Sequence, residues 1–188
     1  MSQPELLRRV LQALDVAGIE HLLSGSFASS LQGEPRSTHD IDIVVDIQPA
    51  GAAHLIAAFR PPQYYLSADS VREAITHQSM FNLLDVNSGD KVDFWILTDD
   101  PFDRSRFARR YTEEVMGMRI SVSSPEDTIL MKLNWAIQSG GSEKQFKDAL
   151  GVYEVQQAKL DLAYMDHWAR ELSIEELWRR LRREAEAT

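Results

Sequence analysis

The sequence predicts an α+β fold: a small mixed sheet with flanking helices, followed by a helical segment. Three observations predict it. The first part of the chain alternates between helical and strand-like apolar spacing. Two apolar runs, 79–86 and 91–97, are joined by Asn87-Ser88-Gly89-Asp90, a hairpin-turn composition. After Ser124 the strand-like spacing disappears and only helical spacing remains. The expected organisation is a core over 1–123 and a C-terminal helical segment over 124–188 packed on that core.

The elements follow in order. Leu6, Leu7, Val10, Leu11 and Leu14 recur at helical spacing, so a first helix spans 4–17, with Gly18 as its C-terminal stop. A strand over 19–24 leads through Gly25 into a second helix, 26–31. A strand over 40–47 follows, and Pro49 opens a helix to about Phe59, broken by Pro61-Pro62. A helix over 69–76 has Asp69 or Ser70 as its cap. After the hairpin come a short helix, 102–110, and a final strand or hairpin over 114–122. Ser124-Pro125-Glu126-Asp127 is a strong helix start for a run to Gln138. Ser142 caps the next helix, another begins near Leu160, and Ser173-x-x-Glu176 has the form of a capping box for the last.

Composition narrows the chemistry. The chain has 188 residues, 44% hydrophobic and 26% charged, enough for a real core. It contains no cysteine, which excludes disulfides, thiolate metal sites and a thiol nucleophile. No apolar run is long enough to span a bilayer and the start lacks a secretory pattern, so a cytoplasmic protein without membrane association is expected. A net charge of −9 argues against a general nucleic-acid coat. Arg104, Arg106, Arg109 and Arg110 form one basic group, which could line an acceptor groove. Arg179, Arg180, Arg182 and Arg183 form another, read as a solvated helix face.

The most informative segment runs from Gly25-Ser26 to Asp40-Ile41-Asp42. Asp40 and Asp42 stand two apart in the run Ile41, Ile43, Val44, Val45, so on a strand they share one face. Two adjacent carboxylates repel one another, and a hard cation such as Mg²⁺ relieves that conflict. A Gly-Ser turn opening a helix offers backbone N–H groups to phosphate. A metal site and a phosphate site thus fall within one short segment.

This arrangement resembles the signature of the nucleotidyltransferase superfamily, which includes DNA polymerase beta-like enzymes. With Arg36 and Thr38 ahead of Asp40 and Asp42, it looks most like the AbiEii-toxin branch of small bacterial proteins. The resemblance implies a nucleotidyltransferase-type sheet and transfer of NMP from an NTP to a hydroxyl. It implies catalytic and metal-binding roles for Asp40, Asp42 and Asp93, the last being the third acid on a later strand. The cofactor implied is Mg²⁺, with Mn²⁺ able to serve. Gly25, Ser26, Arg36, Thr38, Lys132, Lys147 and Asp148 would contact nucleotide. Gly151 departs from the branch, many of whose members carry Asp there. The other reading of Asp93 is a surface carboxylate beside Lys91, and that of Lys132 a surface lysine.

The branch's toxins pair with an antitoxin, so tRNA is the leading acceptor by analogy and an antitoxin protein a partner. The alternatives are a small-molecule, aminoglycoside-type acceptor, and a nucleotide-binding regulatory module without transfer activity. The five histidines show no metal-ligand spacing, and Trp135, Trp168 and Trp178 read as core.

Overall fold

In the computed structural model, residues 2–35 and 40–186 are described. Arg36 and Thr38, two of the expected nucleotide contacts, lie outside the described residues. The order of elements is α1 (Gln3–Val16), β1 (Glu20–Ser24), α2 (Gly25–Gln32), β2 (Asp40–Asp46), α3 (Pro49–Ala58), β3 (Tyr64–Tyr65), α4 (Ala68–His77), β4 (Met80–Asp85) and β5 (Lys91–Ile96). Then come α5 (Pro101–Ala108), β6 (Tyr111–Val115), β7 (Met118–Val122), α6 (Pro125–Gln138), α7 (Glu143–Gln156), α8 (Leu162–Glu171) and α9 (Glu175–Ala185). The α+β class and the all-helical end are as the sequence predicts. No helix among the described residues is long and apolar enough to cross a membrane.

The chain forms two compact units. One holds α1 and the elements from β2 to β7, together with β1. Its seven strands run in the order β3-β4-β5-β2-β1-β7-β6. The sheet is mixed: β2 is antiparallel to β1 and parallel to β5, and β7 is parallel to β1. One face is apolar. Ile41, Ile43 and Val45 of β2, Val92 and Phe94 of β5, and Phe81 and Leu83 of β4 are at most 2% exposed. Phe81 stacks on Phe94 with ring centroids 4.8 Å apart. Burying such side chains is worth roughly 1.5–3 kcal/mol each, which fixes the register, because a slip of one residue would turn every one of them to the other face.

The second unit holds α2 and the helices α6 to α9. Gly33 follows α2 and lies so close to α7 that a Cβ there would sit 2.8 Å from the backbone of Gly151 and Val152. Only glycine permits that approach. The Ser124 start of α6 is built as expected: its hydroxyl accepts from the Asp127 N–H and donates to Asp127 Oδ2 at 2.7 Å, while Tyr164 of α8 donates to Asp127 Oδ1 at 2.6 Å. The acids of the motif therefore cap and tie helices together, and Glu126 likewise accepts from the Asp161 N–H.

Several local expectations are corrected. The cap of α4 is Ser67, whose side chain accepts from Ser70 N–H, because the helix starts earlier than the acidic residues suggested. The last hairpin begins at Tyr111 rather than at position 114. The two-residue strand β3 carried no readable alternation. Ser173 is not an N-cap. It adopts φ 57° just beyond α8, and the N–H groups of Ser173 and Ile174 return to Arg170 and Ala169 carbonyls. That is the closure of one helix, so the capping-box pattern at 173–176 was spent on the wrong end.

Candidate active site

The face of the sheet opposite the apolar one holds the three acids that the sequence singles out. Its lower part is closed by a cluster of Leu22, Val44, Leu97 and Phe107. Above it, the register sets polar side chains directly across from one another. Ser24 of β1 pairs with Asp42 of β2, Asp42 with Asp93 of β5, and Asp93 with Asn82 of β4. One residue pair along, Asp40 stands opposite Lys91. The strand spacing thus brings Asp40, Asp42 and Asp93 onto one face, with Asp42 and Asp93 as immediate cross-strand neighbours.

Their surroundings differ. The Asp40 side chain is 60% exposed, whereas Asp93 is 7% exposed as a residue and therefore buried. Lys91 Nζ lies 2.8 Å from Asp93 Oδ2 and 3.7 Å from Asp40 Oδ1. The hydrogen bond to Asp93 holds the Lys91 ammonium above its ordinary range; burial opposes this, and the charges of Asp93, Asp40 and Asp42 reinforce it. Asp93 Oδ1, by contrast, is buried and has no hydrogen-bond partner. Trp95 Nε1 donates to Asp42 Oδ1 at 3.3 Å, and the indole is 39% exposed.

Neither Lys91 nor Trp95 was singled out as a site residue from the sequence. The signal was available: positions 91, 93 and 95 share a strand face. Asp93 is not the surface carboxylate of the alternative reading.

Among the described residues, no three His, Asp or Glu side chains gather around one point as a metal cluster would. Asp93 turns one oxygen to Lys91, and Asp42 accepts from Trp95 Nε1. The donor set nonetheless suits a hard divalent cation. It consists of carboxylates on one face, one of which keeps a buried oxygen that no protein group satisfies. Leaving such an oxygen without a partner costs about 1–3 kcal/mol.

Of the other predicted residues, Gly25, Ser26, Lys132, Lys147 and Asp148 lie in the helical unit. Gly25 takes φ 64°, a conformation that favours glycine, and opens α2 directly. Lys132 of α6 is 1% exposed, which rules out the surface reading. Its amine donates to Asp148 Oδ2 at 2.8 Å, to Gln145 Oε1 at 2.9 Å and to Ser26 Oγ at 3.3 Å. The structure thus joins Ser26, Lys132 and Asp148 in one network. Lys147 is exposed and stands apart from that network, lining a cavity of about 190 Å³ with Ser29, Glu34, Pro35, Asp148 and Gly151. The absent side chain at Gly151 leaves part of that space.

Residues of both basic groups are paired with acids. Arg104 pairs with Asp99 at 2.7 Å, Arg106 with Asp103 at 2.8 Å and Arg110 with Glu20 at 3.1 Å. In the C-terminal group, Arg180 pairs with Glu143 and Glu184 and lies over the Phe146 ring. Glu143 and Glu184 hold that guanidinium well above its usual range.

A mixed sheet with flanking helices and three acids on one face is the architecture of a nucleotidyltransferase-type enzyme. The model of the aminoglycoside-2''-adenylyltransferase family matches residues 6–165, and the chain belongs to that family. The structure of ANT(2'')-Ia in complex with adenylyl-2''-tobramycin is similar at a TM-score of 0.60 and 14% identity, covering 92% of this chain and 98% of that one. An antigenic nucleotidyltransferase-like protein from Paracoccidioides brasiliensis is similar at a TM-score of 0.55 and 17% identity, over 97% of this chain and 94% of that one. A candidate nucleotidyltransferase of Thermotoga maritima has a TM-score of 0.50 and 22% identity, over 74% of this chain and 90% of that one. These likenesses concern the fold. No curated protein is a significant sequence match.

Proposed function

We propose that the protein is a metal-dependent adenylyltransferase that moves AMP from ATP to a hydroxyl of a small polyamino sugar of the aminoglycoside class. The observation that carries the reading is the cross-strand pair Asp42–Asp93, with its buried, unpartnered Asp93 oxygen, in a chain of this family. The net charge of −9 fits a polycationic acceptor better than a polyanionic one.

Asp40, Asp42 and Asp93 are the proposed metal ligands. A divalent cation bound there, Mg²⁺ or Mn²⁺, supplies positive charge against the phosphate oxygens. Asp93 is the proposed acceptor for the proton of the attacking hydroxyl. That hydroxyl oxygen forms a bond to the α-phosphorus as the bond to pyrophosphate breaks, so atoms and charge balance. Phosphoryl chemistry of this kind needs positioning and neutralisation more than covalent help.

The N-terminal turn of α2 is the proposed phosphate cradle, with Gly25 and Ser26 supplying N–H groups. Lys132 donates to Ser26 Oγ and so ties its ammonium to the start of α2. Asp148 anchors that lysine, and Lys147, with Arg36 and Thr38, completes the proposed nucleotide contacts.

The AbiEii-like resemblance supports a second acceptor, tRNA, with an antitoxin as partner; it rests on the Arg-x-Thr motif ahead of the acids. One experiment separates the readings. The protein is incubated with radiolabelled ATP or GTP and Mg²⁺, in parallel with aminoglycosides, total RNA and buffer alone. Labelled aminoglycoside from ATP is the expected product. Labelled RNA would favour the tRNA reading. Nucleotide binding without any transfer would favour the regulatory module.

A further inference from the structure

Resting on the acceptor reading just proposed, we infer that Trp95 determines acceptor specificity: its indole is the platform on which a cationic aminosugar ring lies beside the acids. Three observations carry this. Positions 93 and 95 of β5 share a face, and the register sets Trp95 between Val44 of β2 and Met80 of β4, two residues along from Asp93. The indole is 39% exposed, although its cross-strand neighbour Val44 is buried with Leu22, Leu97 and Phe107. Its Nε1 donates to Asp42 Oδ1 at 3.3 Å, which turns the polar edge of the ring toward the acids. That bond uses the one donor an indole has, so what remains for a ligand is its π-system.

The chemistry of that π-system selects the ligand. An indole face is electron-rich and is the best aromatic partner for a cation held within about 6 Å of the ring. A polyamino sugar offers protonated amines for that contact and apolar C–H groups for packing on the ring. A triphosphate offers neither. The place of Trp95 in the sheet points the same way. The strand order is β5-β2-β1, and β1 is the strand that leads into Gly25-Ser26, the proposed phosphate cradle. β5 lies on the other side of β2 and carries Asp93, the proposed acceptor of the hydroxyl proton. Two residues along a strand span about 7 Å, a distance that one sugar unit bridges. A ring seated on Trp95 can therefore present its hydroxyl to Asp93.

The test is calorimetric titration of the full-length protein with kanamycin B, in the presence of Mg²⁺ and α,β-methylene-ATP, for wild type, Trp95→Phe and Trp95→Leu. Both variants lack the Nε1 donor, so the difference between them reads the ring. Trp95→Phe is expected to bind the aminoglycoside within about threefold of wild type and Trp95→Leu about tenfold more weakly, with the affinity for the ATP analogue level in all three. Equal aminoglycoside affinity in wild type and Trp95→Leu overturns the inference. A loss that falls on the ATP analogue overturns it too, because the indole would then meet the nucleotide. So does a matched loss for both ligands, the mark of a merely structural tryptophan. Fluorine NMR decides the matter if Trp95→Leu fails to fold. The wild type is labelled with 5-fluorotryptophan, and the Trp95 resonance is the one missing from Trp95→Phe. Saturating kanamycin B is expected to shift it. Binding without a shift removes the role of Trp95 and leaves the acceptor reading intact. If the wild type binds none of the aminoglycosides used in the transfer assay, the acceptor reading itself falls and this inference with it.

Discussion

The two units of the molecule treat buried charge in opposite ways. In the helical unit, Lys132 is almost fully enclosed, and its amine meets a carboxylate, an amide oxygen and a hydroxyl within 3.3 Å. In the sheet unit, Asp93 is nearly as enclosed but only one of its oxygens is satisfied, by Lys91. A completed network is a self-sufficient support, because every polar group lost from water has been replaced. An incomplete one is stable only as long as the rest of the fold bears its cost, or until a ligand completes it. The comparison teaches where to look for the reacting centre: at the buried charge that the fold leaves unfinished.

The sharpest way to break this comparison is to change the unfinished group. Asp93→Asn keeps the shape and removes the charge. It is expected to lower kcat by roughly a thousandfold, about 4 kcal/mol of barrier, while the KM for ATP changes little. Steady-state kinetics on an acceptor that works checks this; wild-type kcat would make Asp93 a structural acid. Next comes the finished network. Lys132→Met leaves Asp148 buried without its counter-ion and is expected to cost about 3 kcal/mol in urea unfolding, in the range for breaking a buried pair. A change within a few tenths of a kcal/mol would mean that the network contributes nothing to stability.

Much of this contrast was readable in the sequence, for physical reasons that can be named. Strand alternation puts Asp40 and Asp42 on one face without any knowledge of the fold, and it separates Asp93 from Val92 and Phe94 in the same way. What alternation cannot give is which strand lies beside which. The pairing of β2 with β5, across two helices and two other strands, is what makes Asp42 and Asp93 neighbours and Lys91 the partner of both Asp93 and Asp40. The burial of Lys132 was hidden for a similar reason: its partners lie on α2 and α7, and helical spacing within α6 names neither. Helix ends were misread at α4, whose cap is Ser67 rather than Asp69 or Ser70, and at Ser173, which closes α8 instead of capping α9.

Two smaller effects refine the picture. The Lys91–Asp93 pair raises the lysine's proton affinity in the folded state, so its stabilisation is fully present below the unfolded lysine pKa and is lost as pH rises through the higher folded value. The stability gap between wild type and Lys91→Met, about 1 kcal/mol for a pair whose ammonium is partly screened by water, is therefore expected to hold through neutral pH. It should close only in the strongly alkaline range, above the ordinary lysine value. A gap that closed near pH 7 in chemical denaturation would assign the effect to another group. Finally, Gly151 sits inside α7, and a Cβ there would meet Glu34 at 3.8 Å and 3.9 Å, ordinary contact distances. Gly151→Ala is expected to stabilise the protein by about 0.5–1 kcal/mol through helix propensity. Destabilisation would show that the cavity beside Lys147 and Asp148 needs the space.

The central claim is that the acid face of the sheet binds a divalent cation together with nucleotide. The most direct test is the melting temperature of wild type and Asp42→Asn with ATP, before and after adding Mg²⁺. Asn can keep the bond from Trp95 while removing the charge, so the variant should fold. A ligand that binds only the folded state raises its melting temperature. The account predicts a Mg²⁺-dependent rise in the wild type that is absent in Asp42→Asn. An equal rise in both proteins, or none in the wild type, would contradict it.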